Sequence, residues 1–140
     1  MECPFQIDLG GKVAVVTGAG GVLCSMFAKA LAQCGAKVAL LDLNLPAAEQ
    51  FAAEITAAGG TARAYEANVL KKETLEAARE RIHAELGTCD ILINGAGGNN
   101  PRATTTNEYY FDGDIDRQDI TTFFNLDAAG VEFVFNLNFL

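Results

Sequence analysis

No block of basic residues occurs anywhere in this 140-residue chain, where 10 lysines and arginines face 18 aspartates and glutamates for a net charge of −8. A phosphate backbone has nothing to hold, so no nucleic-acid partner is expected. Histidine occurs once, as His83, at the boundary of a predicted helix face, where a solvated side chain is the ordinary outcome. The four cysteines, Cys3, Cys24, Cys34 and Cys89, show no framework spacing, no C-x-x-C pair and no neighbouring histidine cluster. Disulfide and zinc readings are therefore poor, no metal is expected, and the thiols read as small buried hydrophobes. The stretch from Met1 to Gln6 lacks the charged and long apolar regions of a signal peptide, and no apolar run approaches membrane-spanning length. A cytoplasmic protein with no membrane partner is the expectation.

Apolar residues, by contrast, make up 50% of the chain, enough for a sizeable core in one domain of this length. The most informative stretch is 12–42. A buried strand ending at Thr17 leads into Gly18-Ala19-Gly20-Gly21-Val22-Leu23-Cys24, then an amphipathic helix to Cys34, then Gly35 and a second strand closing on Asp42. That is a βαβ dinucleotide-binding unit. Glycines let a pyrophosphate approach the backbone, the helix N-terminus offers free N–H donors, and a carboxylate about 20 residues on accepts ribose hydroxyls. The G-x-G-x-x-G pattern is imperfect, fitting Gly18 and Gly20 but placing Leu23 third.

Helical spacing puts Leu23, Phe27, Ala30, Leu31 and Cys34 on one buried stripe, with Lys29 and Gln33 facing away. Asn44 caps a second helix that runs to about Ala58 with Ala48, Ala52 and Ile55 inward. Residues 61–65 form a third strand, and a charged helix from about Lys72 to Leu86 buries Leu75, Ala78, Ile82 and Leu86. Residues 89–94 read as a fourth, buried strand. Right-handed crossovers then give a Rossmann-type, doubly wound α/β parallel sheet of strand order 3-2-1-4, with the cofactor crevice between the first and fourth strands. Two glycine turns, at Gly18 and at Asn94-Gly95-Ala96-Gly97, converge there, which is hard to explain without a ligand approaching the backbone.

These residues resemble the short-chain dehydrogenase/reductase family over essentially the whole chain. Thr17-Gly18, Asp42, Asn94-Gly95-Ala96-Gly97 and Asn138 stand where that family has its motifs, and 91–101 is similar to its fructuronate/D-mannonate oxidoreductase branch. The resemblance implies hydride transfer between a nicotinamide and a hydroxyl or carbonyl carbon, a sugar acid in that branch; a homo-oligomer is also expected, because the last helix is apolar nearly all the way round. Cofactor contacts fall on Thr17, Gly18, Gly20, Gly21, Val22, Leu23, Asp42, Leu43, Asn68, Val69, Asn94, Gly95, Ala96 and Gly97. Asp42 favours NAD over NADP, because it repels a 2′-phosphate and neither Leu43 nor Asn44 supplies a compensating cation. Of the family's Asn, Ser, Tyr and Lys, only the Asn has a counterpart, the catalytic candidate Asn138.

Val22 and Cys24 replace the last two glycines of the family's T-G-x-x-x-G-x-G. Gly20 and Gly21 are therefore expected to supply the turn's freedom, and Asn68 replaces an Asp that contacts adenine. A polar loop over 98–120 follows the second turn, its carboxylates reading as a solvated face. Asn99, Asn100 and Arg102 are expected to border the crevice, with Arg102 a candidate for a substrate carboxylate. A last helix from near Asp127 should bury Val131, Val134, Phe135 and Asn138. The expectation is residues 1–140 as a single NAD-binding domain, the N-terminal half of a longer dehydrogenase and without turnover of its own. The alternative from another class is a non-enzymatic dinucleotide-binding or regulatory module; a receiver-type fold is disfavoured by glycine where acidic residues belong.

Overall fold

In a computed structural model, which describes residues 7–139, the packing divides the chain into two compact units, Met1–Ala96 and Gly97–Leu140. The expectations for Cys3, for the start of the lead-in and for Leu140 lie outside the described residues. The first unit runs β1 (Val13–Thr17), α1 (Val22–Gln33), β2 (Lys37–Asp42), α2 (Leu45–Ala57), β3 (Thr61–Glu66), α3 (Lys72–Glu85) and β4 (Ile91–Ile93). All pairings are parallel in the order β3-β2-β1-β4, the expected doubly wound arrangement. Lead-in residues do more than cover surface: the Leu9 N–H donates to the Cys34 carbonyl at 2.7 Å, and Leu9 packs on the core.

Strand alternation sorts the core into two layers. Ala14, Val16, Val38 and Leu40 point to the side covered by α1 and α2, where they meet Ala28, Ala32, Ala48, Ala52 and Ile55. Val13, Val15, Ala39, Leu41 and Tyr65 point to the other side and meet Ala78, Ile82 and Leu86 of α3, with Leu75 at the margin. The inward faces of α2 and α3 are those the sequence implies, and His83 is exposed.

Helix α1 differs. Its buried residues are Cys24, Ser25, Ala28 and Ala32, while Leu23 and Phe27 are 67% and 47% exposed. The inward face is thus turned by one residue, about 100°, from the expected stripe. Small side chains let the helix axis approach the sheet; bulky Leu23 and Phe27 on that face would push it away. Ser25 tolerates burial because its hydroxyl donates to the Val22 carbonyl at 2.8 Å.

β4 is also shorter and less buried than its apolar run suggests. Leu92, opposite Val15, lies on the α3 side and is 56% exposed. α3 packs over β1, β2 and β3, and among the described residues of this unit nothing extends that cover to β4.

The second unit holds three short 3₁₀ turns, Pro101–Ala103, Asp114–Asp116 and Phe123–Asn125, and the helix α4, Ala128–Asn138. The stretch expected to be a polar loop is thus stitched internally: the Thr106 N–H donates to the Thr121 carbonyl at 2.8 Å, and the Thr121 N–H to the Thr106 hydroxyl at 2.9 Å. Asp127 caps α4 through the Ala129 N–H at 2.9 Å. Val131 and Val134 are half-buried as expected, but Phe135 and Asn138 are exposed and Gly130 is the buried residue. A Cβ at Gly130 would lie 2.8 Å from Arg102 Cβ, so α4 packs through its one side-chain-free position.

Two outcomes follow. Ala28→Leu should lower unfolding stability by about 1–3 kcal/mol through overpacking, whereas Phe27→Ala should change it by no more than about 0.5 kcal/mol, both read from urea denaturation. Tyr65, fully buried with its hydroxyl donating to Glu85 at 3.1 Å, has its pKa pushed up to about 12 by burial first and by Glu85 second. Folding therefore holds the phenol proton more tightly than the unfolded chain does, so this stabilisation is complete below about pH 10 and is lost as pH rises towards 12. Wild type should lose stability over that window relative to Tyr65→Phe in pH-dependent thermal melts.

Candidate functional site

Two backbone turns meet at the carboxyl ends of β1 and β4. Gly18 adopts φ +68°, and a Cβ there would lie 2.8 Å from the Gly95 carbonyl and 2.9 Å from Ala96 N. Gly95 is closed in just as tightly, since a Cβ would meet the Thr17 carbonyl at 2.8 Å and collide with Cys24 Sγ. Neither position accepts a side chain, and the reason is turn-on-turn packing. The convergence expected to require a ligand is therefore already explained by the protein's own contacts.

Thr17 joins the turns. Its buried hydroxyl accepts the Gly95 and Ala96 N–H groups at 3.0 and 3.1 Å and donates to the Ile93 carbonyl at 3.5 Å. One donor and two acceptor positions exhaust a hydroxyl. Thr17, one of the expected cofactor contacts, thereby sets the path of the second turn. Cys24 fills the gap beside Gly95; burial first, and the Asp42 charge second, push its pKa up, so it stays a neutral thiol.

The first turn corrects a second expectation. Its left-handed residue is Gly18; Gly21 is extended, at φ −84° and ψ 162°, as N-cap of α1. Val22 is the first helical residue, so its β-branch is no obstacle. Gly20 is needed for space, because a Cβ would sit 3.0 Å from the Asp42 carboxylate and 3.1 Å from Ala47 Cβ. Both oxygens of half-buried Asp42 are engaged, Oδ2 by the Gly20 N–H and Oδ1 by the Asn44 N–H, each at 2.8 Å. Beside it Leu43 is exposed, and half-buried Asn68 and Val69 follow β3, with Asn68 Oδ1 accepting the Leu70 N–H at 3.0 Å. Asn94 is exposed at the end of β4.

What remains open is the start of α1. α2 is capped by the Asn44 side chain and α4 by Asp127, and α3 carries Glu73 in its first turn; α1 has no side-chain cap and no acidic residue there. The N–H groups of Val22, Leu23 and Cys24 have no helical acceptor by construction of an α-helix, and the dipole end favours an anion beside them. A pyrophosphate fits that end, and a carboxylate with two spare lone pairs stands beside Gly20.

In the second unit the candidate residues bond to their own surroundings. Asn138 clamps both backbone groups of one residue, Oδ1 accepting the Gly98 N–H at 3.1 Å and Nδ2 donating to the Gly98 carbonyl at 2.9 Å; Nδ2 also donates to the Val134 carbonyl at 2.8 Å. A Cβ at Gly97 would lie 2.7 Å from Asn138 Oδ1. The side chain of the catalytic candidate thus holds the backbone at Gly98. Asn99 Nδ2 donates to the Thr104 hydroxyl at 2.7 Å, and Asn100 Oδ1 caps the Pro101–Ala103 turn through the Arg102 N–H at 3.0 Å. Arg102, expected to wait for a substrate carboxylate, pairs with Asp127 at 2.9 Å. That pair spans 25 positions (127 − 102), and no periodicity in the sequence announces it. Asp114 is buried and accepts the Phe111 N–H at 3.0 Å. Among the described residues no group of three or more His, Cys, Asp or Glu could hold a metal, and no helix is long and apolar enough to cross a membrane.

The family model for short chain dehydrogenases matches residues 12–136, and the chain belongs to that family. It is 55% identical over 141 aligned residues to an uncharacterized oxidoreductase of Haemophilus influenzae, covering all of this chain and 48% of the relative. It is 46% identical to the uncharacterized oxidoreductase UxuB of Bacillus subtilis, covering 97% of this chain and 48% of the relative. A solved structure of a candidate D-mannonate oxidoreductase from Haemophilus influenza with bound NAD superposes with a TM-score of 0.90 at 53% identity, covering 95% of this chain and 47% of that one. The chain thus spans about half the length of the curated relatives it matches.

Thr17→Val keeps the side-chain volume but strands the two N–H groups of the second turn. Unfolding free energy should fall by about 1–3 kcal/mol in denaturant titration, and Thr17→Ser, which keeps the hydroxyl, should recover most of it.

Proposed function

Since the chain is a short chain dehydrogenase, we propose that it supplies the NAD-binding part of an oxidoreductase acting on a hydroxyl or carbonyl carbon, with a sugar acid of the mannonate or fructuronate kind as substrate. The observation that carries the reading is the uncapped, acid-free start of α1 beside the Gly20–Asp42 pair. The 53% identity to a candidate D-mannonate oxidoreductase that holds NAD supports both the cofactor and the substrate class.

In this reading the backbone from Gly18 to Leu23 receives the pyrophosphate. Asp42 accepts the ribose hydroxyls, with Leu43, Asn68 and Val69 flanking the adenine. Bound NAD would supply the hydride acceptor. The chain's own part is to bind and orient. Asp42 disfavours a 2′-phosphate by charge, and no basic residue follows it at Leu43 or Asn44. Thr17 holds the backbone at Gly95 and Ala96, and within the second unit Asn138 holds Gly98. No tyrosine in the chain is followed four residues later by lysine, so the acid/base pair that the resemblance implies has no carrier among these residues. Exposed Phe133 and Phe135 on α4, with Phe139 just after it, support self-association into a homo-oligomer.

Calorimetric titration tests the reading. NAD should bind more tightly than NADP, and Asp42→Ala should narrow the gap by about 1–3 kcal/mol; equal affinities in wild type would defeat the assignment. The same 140-residue chain should not reduce NAD with D-mannonate when formation of reduced nicotinamide is followed by its absorbance. Turnover would show that an acid/base group is present after all.

A further inference from the structure

Asp42 stands in the dinucleotide reading as the ribose acceptor, yet its carboxylate is already in use. Oδ2 accepts the Gly20 N–H and Oδ1 the Asn44 N–H, both at 2.8 Å. Gly20 lies in the phosphate turn, two residues before the first helical residue, Val22. A side chain on Gly20 would press on the Asp42 carboxylate at 3.0 Å, so the turn and the carboxylate are in direct contact. The neighbouring Ala19 N–H goes to the Leu41 carbonyl at 3.0 Å and the Gly21 N–H back to the Gly18 carbonyl at 3.0 Å. The first of these bonds and the Gly20–Asp42 bond tie the turn to β2; among the described residues, the latter is the one made by a side chain. A carboxylate has about four acceptor positions. Two are taken by backbone N–H groups, which leaves two for the adjacent hydroxyls of a ribose.

We infer that Asp42 is a positioning residue for the pyrophosphate turn as well as a ribose ligand, so that recognition of sugar and phosphate is coupled through the Gly20–Asp42 hydrogen bond. The inference rests on the dinucleotide reading but makes a claim that reading does not. A purely ribose-binding Asp42 has no effect on a ligand without ribose, except that deleting a negative charge beside an anion site tightens anion binding. A strut for the turn has the opposite sign.

The test is calorimetric titration of the 140-residue chain with inorganic pyrophosphate and with NAD, in wild type, Asp42→Ala and Asp42→Asn. Asp42→Ala should weaken pyrophosphate binding about tenfold, the scale of one charge-assisted hydrogen bond. Asp42→Asn has one acceptor oxygen left, which serves the Gly20 N–H at the expense of the Asn44 N–H, without the charge, and should bind pyrophosphate at least as tightly as wild type. Both variants should bind NAD more weakly. Amide hydrogen exchange in the ligand-free proteins reads the turn directly: the Gly20 N–H should be protected in wild type and in Asp42→Asn, and unprotected in Asp42→Ala while the β1 and β2 amides stay protected. Pyrophosphate bound by Asp42→Ala as tightly as by wild type, or more tightly, overturns the coupling and leaves the dinucleotide reading intact if wild type still binds NAD. Wild type that binds neither ligand brings down both. Should Asp42→Ala fail to fold, Asp42→Asn decides: loss of Gly20 protection or of pyrophosphate affinity in that variant overturns the inference.

Discussion

The site depends on one contact, the backbone of the turn after β1 lying against the backbone of the turn after β4. At the 2.8 Å that a Cβ on Gly18 would leave to the Gly95 carbonyl, any side chain separates the two strands at their carboxyl ends. A side chain also ties the two exits together: the Thr17 hydroxyl is bonded to three backbone groups of residues 93, 95 and 96. Cys24 occupies the space beside Gly95 from the helix side, which ties the placement of α1 to the same contact. The small inward face of α1, built on Cys24, Ser25, Ala28 and Ala32, follows from that approach.

Charge is distributed with the same economy. The other α-helices each begin with a polar or acidic group that offsets their unpaired N–H donors: Asn44, Glu73 and Asp127. α1 begins with none, and the Asp42 carboxylate accepts the Gly20 N–H in the turn before it. An anion is thereby favoured at one helix start, while the carboxylate that would compete for those donors is held by backbone N–H groups of its own neighbourhood.

The second unit is held by a different kind of bond. Asn99, Asn100, Asp114, Thr122 and Asn138 all satisfy backbone groups near them, as expected of a chain with little ladder hydrogen bonding to offer. Its aromatic side chains are left outside, with Tyr110, Phe123 and Phe124 meeting edge to face around a shallow cleft.

Much of this was legible in the sequence. Alternation of apolar runs with 3.6-residue periodicity specified four strands and their helices, and the handedness of βαβ crossovers then left the order 3-2-1-4. The cap at Asn44, the start of α4 near Asp127 and the inward faces of α2 and α3 are legible in local spacing, because local spacing is what determines them. α1 was misjudged because hydrophobicity ranks Leu23 and Phe27 above Ala28, whereas the distance between helix and sheet, a property of the assembled layers, selects the smaller residue. The long-range partners of Thr17, Arg102 and Asn138 lie 25 to 79 positions away, and no one-dimensional pattern encodes such pairs. The sequence by itself thus determined which segments become strands and helices and how they are wound, since those depend on neighbours along the chain. Tertiary structure alone decided which polar side chains remain open to a ligand, because a hydroxyl or carboxylate is consumed by whatever backbone the fold brings within hydrogen-bond reach.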